Sequence, residues 1–217
     1  MFIYFLLLLA KSPAIKIGVQ FPLSGPISDY GIYCLQGVKL AFSDHPEISL
    51  VVRDNEGKAE ICTEILHEFA GMGVCAVIGP VISPNAIIVG LEATKFGIPI
   101  ILPAATNTAV TKVSDFLFRV CYTDEQQAEA IAKFTFFTLK RSKVAIISDT
   151  SNIYSIGLAL YFRYYFESIG GKAHIIKWNG TSNLSDTLQN LIGSTIFLPL
   201  YYKPASDIIK FVKELMD

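Results

Sequence analysis

The 217-residue sequence contains no uninterrupted apolar run of the roughly 18 residues that a helix needs to cross a bilayer. Nor does it carry an excess of charge of either sign. Its 18 Lys and Arg stand against 19 Asp and Glu, a formal net charge of −1 with histidine neutral. Without a basic stripe there is no electrostatic footprint for nucleic acid or for an anionic membrane surface. Cysteine is sparse: Cys34, Cys62, Cys75 and Cys121 are widely spaced and form no Cys-x-x-Cys pair, so no zinc-ligand spacing is present. Such thiols are compatible with a disulfide after export and equally with buried free thiols. His45, His67 and His174 each stand without a second ligand at metal spacing. There is no P-loop, no Gly-x-Ser-x-Gly elbow and no His-Glu-x-x-His helix. No local acid/base pair or activated nucleophile is offered, although carboxylates from distant segments can converge in space. The chain is therefore expected not to be an enzyme, and no cofactor or metal is expected.

What the sequence does have is apolar residues, 52% of the total, with a mean hydropathy of +0.45. Strands buried on both faces of a parallel sheet read as solid runs of Val, Ile and Leu. Val144–Ile147 and Val74–Ile78 fit that description. A chain of this length buries roughly 70% of its unfolded surface, enough for a core without a disulfide or metal staple. The N-terminus differs in kind. Phe2–Ala10 is apolar and is followed by Lys11, Ser12, Pro13 and Ala14, which matches the h-region of an export signal, though the usual basic n-region is missing. Residues 1–14 are thus expected to be signal-like; a buried first strand or helix is the alternative.

From Ile15 onward, short apolar runs alternate with helical patterns. Strands are expected at Ile15–Pro22, Ile48–Arg53, Cys75–Gly79, Ile98–Leu102 and Phe116–Val120. Between them the helical patterns run from Gly31 to Ser43 (apolar at Leu35, Val38, Leu40 and Phe42), from Ala59 to Phe69, and onward from Ser83-Pro84. Ser is a good N-cap and Pro is tolerated at the first helical position. The pattern then starts afresh, with helices at 125–139, 154–169, 184–191 and 205–215 around strands at 143–149, 173–178 and 195–199. Alternation of this kind implies right-handed βαβ units and parallel sheet. The expected fold class is α/β with two Rossmann-like lobes, residues 15–121 and 122–217.

Two local patterns invite functional readings that their context opposes. Gly71-Met-Gly73-Val-Cys-Ala76 formally matches a dinucleotide fingerprint, but it follows a helix and precedes a strand, the reverse of what pyrophosphate binding requires. A helix C-cap and turn explain it better. The aromatic cluster Tyr161–Phe166 belongs to a stripe of Leu158, Phe162, Tyr165 and Ile169 at helical spacing, so core packing is expected. In open parallel sheets, ligands bind beyond the carboxyl ends of the strands. Four segments of small and polar residues occupy such positions: 24–30, 81–85, 103–108 and 149–155.

On these segments the sequence resembles the branched-chain amino-acid (Leu/Ile/Val-type) substrate-binding proteins of ABC transporters, with the type I periplasmic binding fold. The resemblance is carried, in family order, by Pro22-Leu-Ser-Gly-Pro26 with Tyr30-Gly31, and by Val77-Ile-Gly79 leading to Ser83. It continues through Pro103-Ala-Ala-Thr106, Phe118-Arg119 with Gln126-Gln127, Tyr154–Leu158 and Pro199-Leu-Tyr-Tyr202. It implies that Ser83 and helix N-terminal amides hold a ligand carboxylate, which agrees with the attraction of helix N-termini for anions. It further implies that Ala104, through its carbonyl, and Thr106 hold an α-ammonium, while Tyr30, Tyr154 and Tyr202 line the cleft. A simple N-cap at Ser83, a turn residue at Thr106 and plain packing of the tyrosines are the bland alternatives. The implied function is capture of an amino acid or similar small polar solute between two lobes, in the periplasm or its extracytoplasmic equivalent, with an ABC permease in the membrane as partner. A ligand-sensing receptor or regulatory domain of the same fold is the alternative. The resemblance also implies further elements for both lobes beyond Asp217, among them an acidic residue that pairs with the ligand ammonium. The second lobe is therefore expected to be incomplete, and a non-functional fragment is the remaining reading.

Overall fold

The computed structural model describes residues 15–214; the apolar segment Phe2–Ala10 lies outside the described residues. The first half runs β1 (Ile15–Phe21), α1 (Ser28–Ala41), β2 (Ile48–Asp54), α2 (Ala59–Met72), β3 (Ala76–Ile78), α3 (Ser83–Phe96), β4 (Ile100–Leu102) and β5 (Leu117–Arg119). Its five strands form one sheet in the order β2-β1-β3-β4-β5, parallel throughout. The second half runs α4 (Asp124–Lys133), β6 (Lys143–Asp149), α5 (Ile153–Ser168), β7 (Lys172–Trp178), α6 (Ser185–Gln189), β8 (Ile196–Phe197) and α7 (Tyr202–Glu214). Its strands make a second parallel sheet in the order β7-β6-β8.

Alternation along the strands explains why helices cover both faces of the first sheet. Val19 and Phe21 pack with Leu35 and Val38 of α1 on one face. Val77, Ile100, Leu102 and Leu117 pack with Leu66 and Phe69 of α2 and Val89 of α3 on the other. Close approach of α2 depends on Gly18, where a Cβ would lie 2.5 Å from the Phe69 ring. That helix ends at Gly73, in the left-handed region at φ +68°, which is the turn expected for the Gly71-Met-Gly73 pattern. The second core gathers Ala128 and Ala132 of α4, Val144 and Ile146 of β6, and Leu158, Phe162 and Phe166 of α5.

Three expectations from the sequence are corrected. Leu40 is 76% exposed, because Leu35 and Val38 already turn α1 toward the sheet. The inward stripe of α5 is Leu158, Phe162 and Phe166, whereas Tyr165 sits at its margin and donates to Glu125 Oε1 at 3.0 Å. Ser83 is the first residue of α3 rather than its N-cap; the extended Ile82 precedes it and no side chain caps that end.

Side-chain contacts between the two halves cluster in two places. Asn107 Nδ2 donates to the Ile153 carbonyl at 3.2 Å, and Thr108 shares a 2.9 Å hydroxyl hydrogen bond with Tyr161. On another side, the Tyr202 hydroxyl donates to Asp29 Oδ2 at 2.6 Å, and the Tyr202 backbone N–H reaches the Tyr30 hydroxyl at 3.3 Å.

Candidate functional site

A cavity of about 310 Å³ opens where the carboxyl ends of β3 and β4 face the start of α5. Val81, Ile82 and Ser83 line it from the β3–α3 connection, and Pro103, Ala104 and Thr106 from the loop after β4. Cys121, Tyr122 and Gln127 contribute from the segment entering α4, and Tyr30, Tyr154 and Tyr201 from α1, α5 and the turn before α7. No charged side chain is among these lining residues. A larger concavity of about 860 Å³ lies at the opposite, amino ends of β6 and β7, between Lys140–Ala145, Lys172 and Thr195. The smaller one is the candidate site, because it lies beyond the carboxyl ends of β3 and β4, where the N-termini of α3 and α5 meet polar side chains.

The anion-attracting corner is built by Ser83, which is 2% exposed. Its Oγ accepts the Asn107 backbone N–H at 3.2 Å. With an acceptor lone pair so engaged, the hydroxyl proton can be donated to a solute, and the α3 N-terminus adds a partial positive charge behind it. Arg119 fixes the neighbouring loop: its Nη1 donates to the carbonyls of Ala105, Thr106 and Asn107 at 3.2, 3.1 and 2.8 Å, and its Nη2 to Thr111 Oγ1 at 3.2 Å. The guanidinium thus acts as a template that holds Thr106 toward the cavity. Gly157 lets α5 approach this loop, since a Cβ there would lie 2.8 Å from Asn107 Nδ2.

The wall opposite is aromatic. Tyr154 and Tyr201 stack at 5.3 Å with their planes 5° apart, and Tyr30 meets Tyr201 edge-on at 6.1 Å. Burial raises the Tyr154 phenol, with the nearby Asp124 carboxylate adding to the effect. Burial also pushes the Tyr201 phenol up to about 12, against the lowering influence of Asn152. Both rings are therefore neutral walls with a polar tip.

Of the residues singled out in the sequence, Tyr30, Ser83, Ala104, Thr106 and Tyr154 come together at this cavity. Tyr202 does not line it. It starts α7, is 43% exposed, and packs edge-on against Tyr30 at 5.3 Å while bonding Asp29. Tyr201, one residue earlier, is the one turned inward.

Comparison with known proteins places this geometry. A sequence profile described as periplasmic binding protein matches residues 14–217. The chain belongs to the periplasmic binding protein family. Within that family, the Leu/Ile/Val-binding protein BraC3 of Rhizobium johnstonii is 31% identical over 158 residues, 69% of this chain and 43% of the relative. The leucine-binding protein LivK of Thermotoga maritima superposes with a TM-score of 0.87 at 27% identity, covering 94% of this chain and 61% of that one. LivJ of Streptococcus pneumoniae, a branched-chain amino-acid transporter substrate-binding protein solved with isoleucine, gives a TM-score of 0.85 at 27% identity over 93% of this chain and 61% of its own. The chain thus spans under half of the curated relative and about three-fifths of the solved ones. The fold is the type I arrangement of this periplasmic binding family, and the resemblance to branched-chain amino-acid binding proteins read from Pro22–Tyr202 holds.

Proposed function

We propose that this chain captures an amino acid or a similar small polar carboxylate in the interlobe cavity, as the solute-binding component of an extracytoplasmic ABC import system. The observation that carries this reading is a cavity with one anion-attracting corner, at Ser83 and the α3 N-terminus, and an uncharged aromatic wall opposite. A carboxylate docks at the corner, and the remainder of the solute lies against Tyr30, Tyr154 and Tyr201. Thr106 and the Ala104 carbonyl offer an acceptor pair for an ammonium. In this reading the site holds its solute without transforming it.

Closure acts as a signal only if the solute contacts the closed arrangement better than the open one. The Tyr202–Asp29 and Tyr202–Tyr30 hydrogen bonds bring the two halves together at the mouth, and a solute bridging Ser83 to Tyr154 strengthens the same arrangement. In this reading the closed form is the one that docks on a membrane permease. The leucine-, isoleucine- and valine-binding relatives support a solute of that size.

Native mass spectrometry of the purified chain, followed by isothermal titration with amino acids, tests the proposal. The expected outcome is one solute per chain, competed by carboxylates of similar size. A folded chain that binds no member of an amino-acid and small-carboxylate panel contradicts it.

A further inference from the structure

The solute-binding reading leaves the amino end of the second half without a role. The concavity of about 860 Å³ there is lined by Lys140, Arg141, Lys143 and Lys172, with Glu167 as its one carboxylate. All four cations are exposed, and none is paired with a carboxylate among the described residues. No long stretch of the sequence is basic; the fold assembles this charge from separate segments. Lys143 and Lys172 stand directly opposite each other in the β6–β7 register, and the Lys172 backbone N–H donates to the Ser142 carbonyl at 2.8 Å. Lys140, at φ +54°, turns the chain into this strand pair. Like charges directly opposite on neighbouring strands are destabilising, and one carboxylate does not offset four cations.

Beside this concavity the surface is apolar. A π-helical turn, Phe134–Thr138, extends α4, and Phe134, Phe137 and Leu139 are each about half exposed. Phe136 is the ring of this segment that turns inward, against Phe166. The Leu139 N–H donates to the Phe134 carbonyl at 3.0 Å and the Arg141 N–H to the Thr135 carbonyl at 3.1 Å. The exposed rings and the basic segment therefore form one continuous shoulder. On the other rim, the half-exposed Ile192 lies between Leu191 and Gly193, which line the concavity.

We propose that this face docks on an anionic phospholipid bilayer, with its four cations on the headgroups and the Phe134 and Phe137 rings in the interfacial layer. The combination of features favours a bilayer. A flexible acidic polypeptide matches the cations alone, whereas a lipid interface matches both charge and rings. Each Lys or Arg near an anionic membrane surface contributes about fivefold to binding, and apolar side chains enter the headgroup boundary. The face lies at the end of the second half opposite the solute cavity, so a docked chain keeps that cavity open to solution. The inference is independent of what the cavity binds.

The test is co-sedimentation of the full chain with vesicles of phosphatidylcholine alone and of phosphatidylcholine mixed equally with phosphatidylglycerol. In low salt the chain is expected to partition onto the anionic vesicles about tenfold or more tightly, a preference that shrinks as salt is raised. Lys140→Gln combined with Lys172→Gln lowers anionic partitioning by about twentyfold, and Phe134→Ser combined with Phe137→Ser by about tenfold. All four positions are exposed, and removing the Lys172 charge relieves the like-charge pair, so the lysine variant keeps its fold. The apolar segment Phe2–Ala10 is common to parent and variants, so their ratio reads this face alone. Equal partitioning onto the two vesicle types overturns the proposal, as does a preference that neither variant alters. Binding to poly-glutamate without binding to anionic vesicles also overturns it, in favour of an acidic protein partner.

Discussion

The Asn107 backbone N–H donates to Ser83 Oγ at 3.2 Å while its side-chain Nδ2 donates to the Ile153 carbonyl at 3.2 Å. One residue therefore ties the first turn of α3 to the first turn of α5, joining the two sheets behind the cavity. Asn107 is 5% exposed, and its Oδ1 also accepts the Ala109 N–H at 2.9 Å. Asn107→Ala removes both side-chain bonds, one to the carbonyl of the exposed Ile153 and one from the N–H of the half-buried Ala109. We expect a loss of about 1–3 kcal/mol in chemical denaturation, together with weaker solute binding. Unchanged stability contradicts the strut.

Ser83 serves as acceptor for Asn107 and, in the proposed function, as donor to the solute. Ser83→Ala is expected to weaken carboxylate binding about tenfold, and to lower stability by about 1 kcal/mol because the Asn107 N–H loses its acceptor. Titration calorimetry and denaturation measured on the same preparation separate the two effects. A stability loss with no change in affinity leaves Ser83 a purely structural role.

Tyr201 and Tyr202 are adjacent but do different things. Tyr201→Ala strips the ring stacked on Tyr154 and is expected to lower affinity by tenfold or more, roughly the worth of a buried aromatic contact. Tyr202→Phe removes only the exposed bond to Asp29. It is expected to speed solute release by no more than about threefold, a fraction of one hydrogen bond. Stopped-flow dissociation rates for the two variants check the difference. Equal effects contradict the separation of wall and latch.

The buried Asp124 gives stability a pH dependence of defined sign. Its pKa is raised from the ordinary 3.8 to about 6, so the folded state holds the proton more tightly than the unfolded one. The favourable contribution is complete below the unfolded pKa and is lost as pH rises through about 6. Glu68 and Glu92 are lowered by Arg53 and Lys95 and act in the opposite direction. The informative quantity is therefore the difference between wild type and Asp124→Asn. That difference is expected to grow in favour of the variant between about pH 4 and pH 7, reaching on the order of 2–3 kcal/mol. A difference constant with pH contradicts the raised pKa.

The architecture was legible because its signals are local. Solid apolar runs such as Val144–Ile147, the Gly73 stop and the Ser83-Pro84 start each mark an element within a few residues. The rule that ligands bind beyond strand carboxyl ends marked four segments, and within them the family resemblance singled out Tyr30, Ser83, Ala104, Thr106 and Tyr154, which the fold assembles in one cavity. Tyr201 and Tyr202 could not be told apart, because the inward one depends on the residue at which α7 begins. Cys121 and Tyr122 reach the cavity from the segment between the sheets, which has no periodicity to announce it, and Gln127 reaches it from the first turn of α4. The capping box of Thr123 and Gln126 is readable as a motif. The burial of Asp124 beside it is not, since that depends on Gly157, 33 positions later, lacking a side chain.

A thermal-shift screen of the full chain against amino acids and small carboxylates tests the central claim most directly. A solute at about 100 times its dissociation constant stabilises the folded chain by roughly 2.7 kcal/mol. The account predicts a clear upward shift with a small aliphatic amino acid, reduced in Ser83→Ala. A cooperative melt that no member of the panel moves would contradict it.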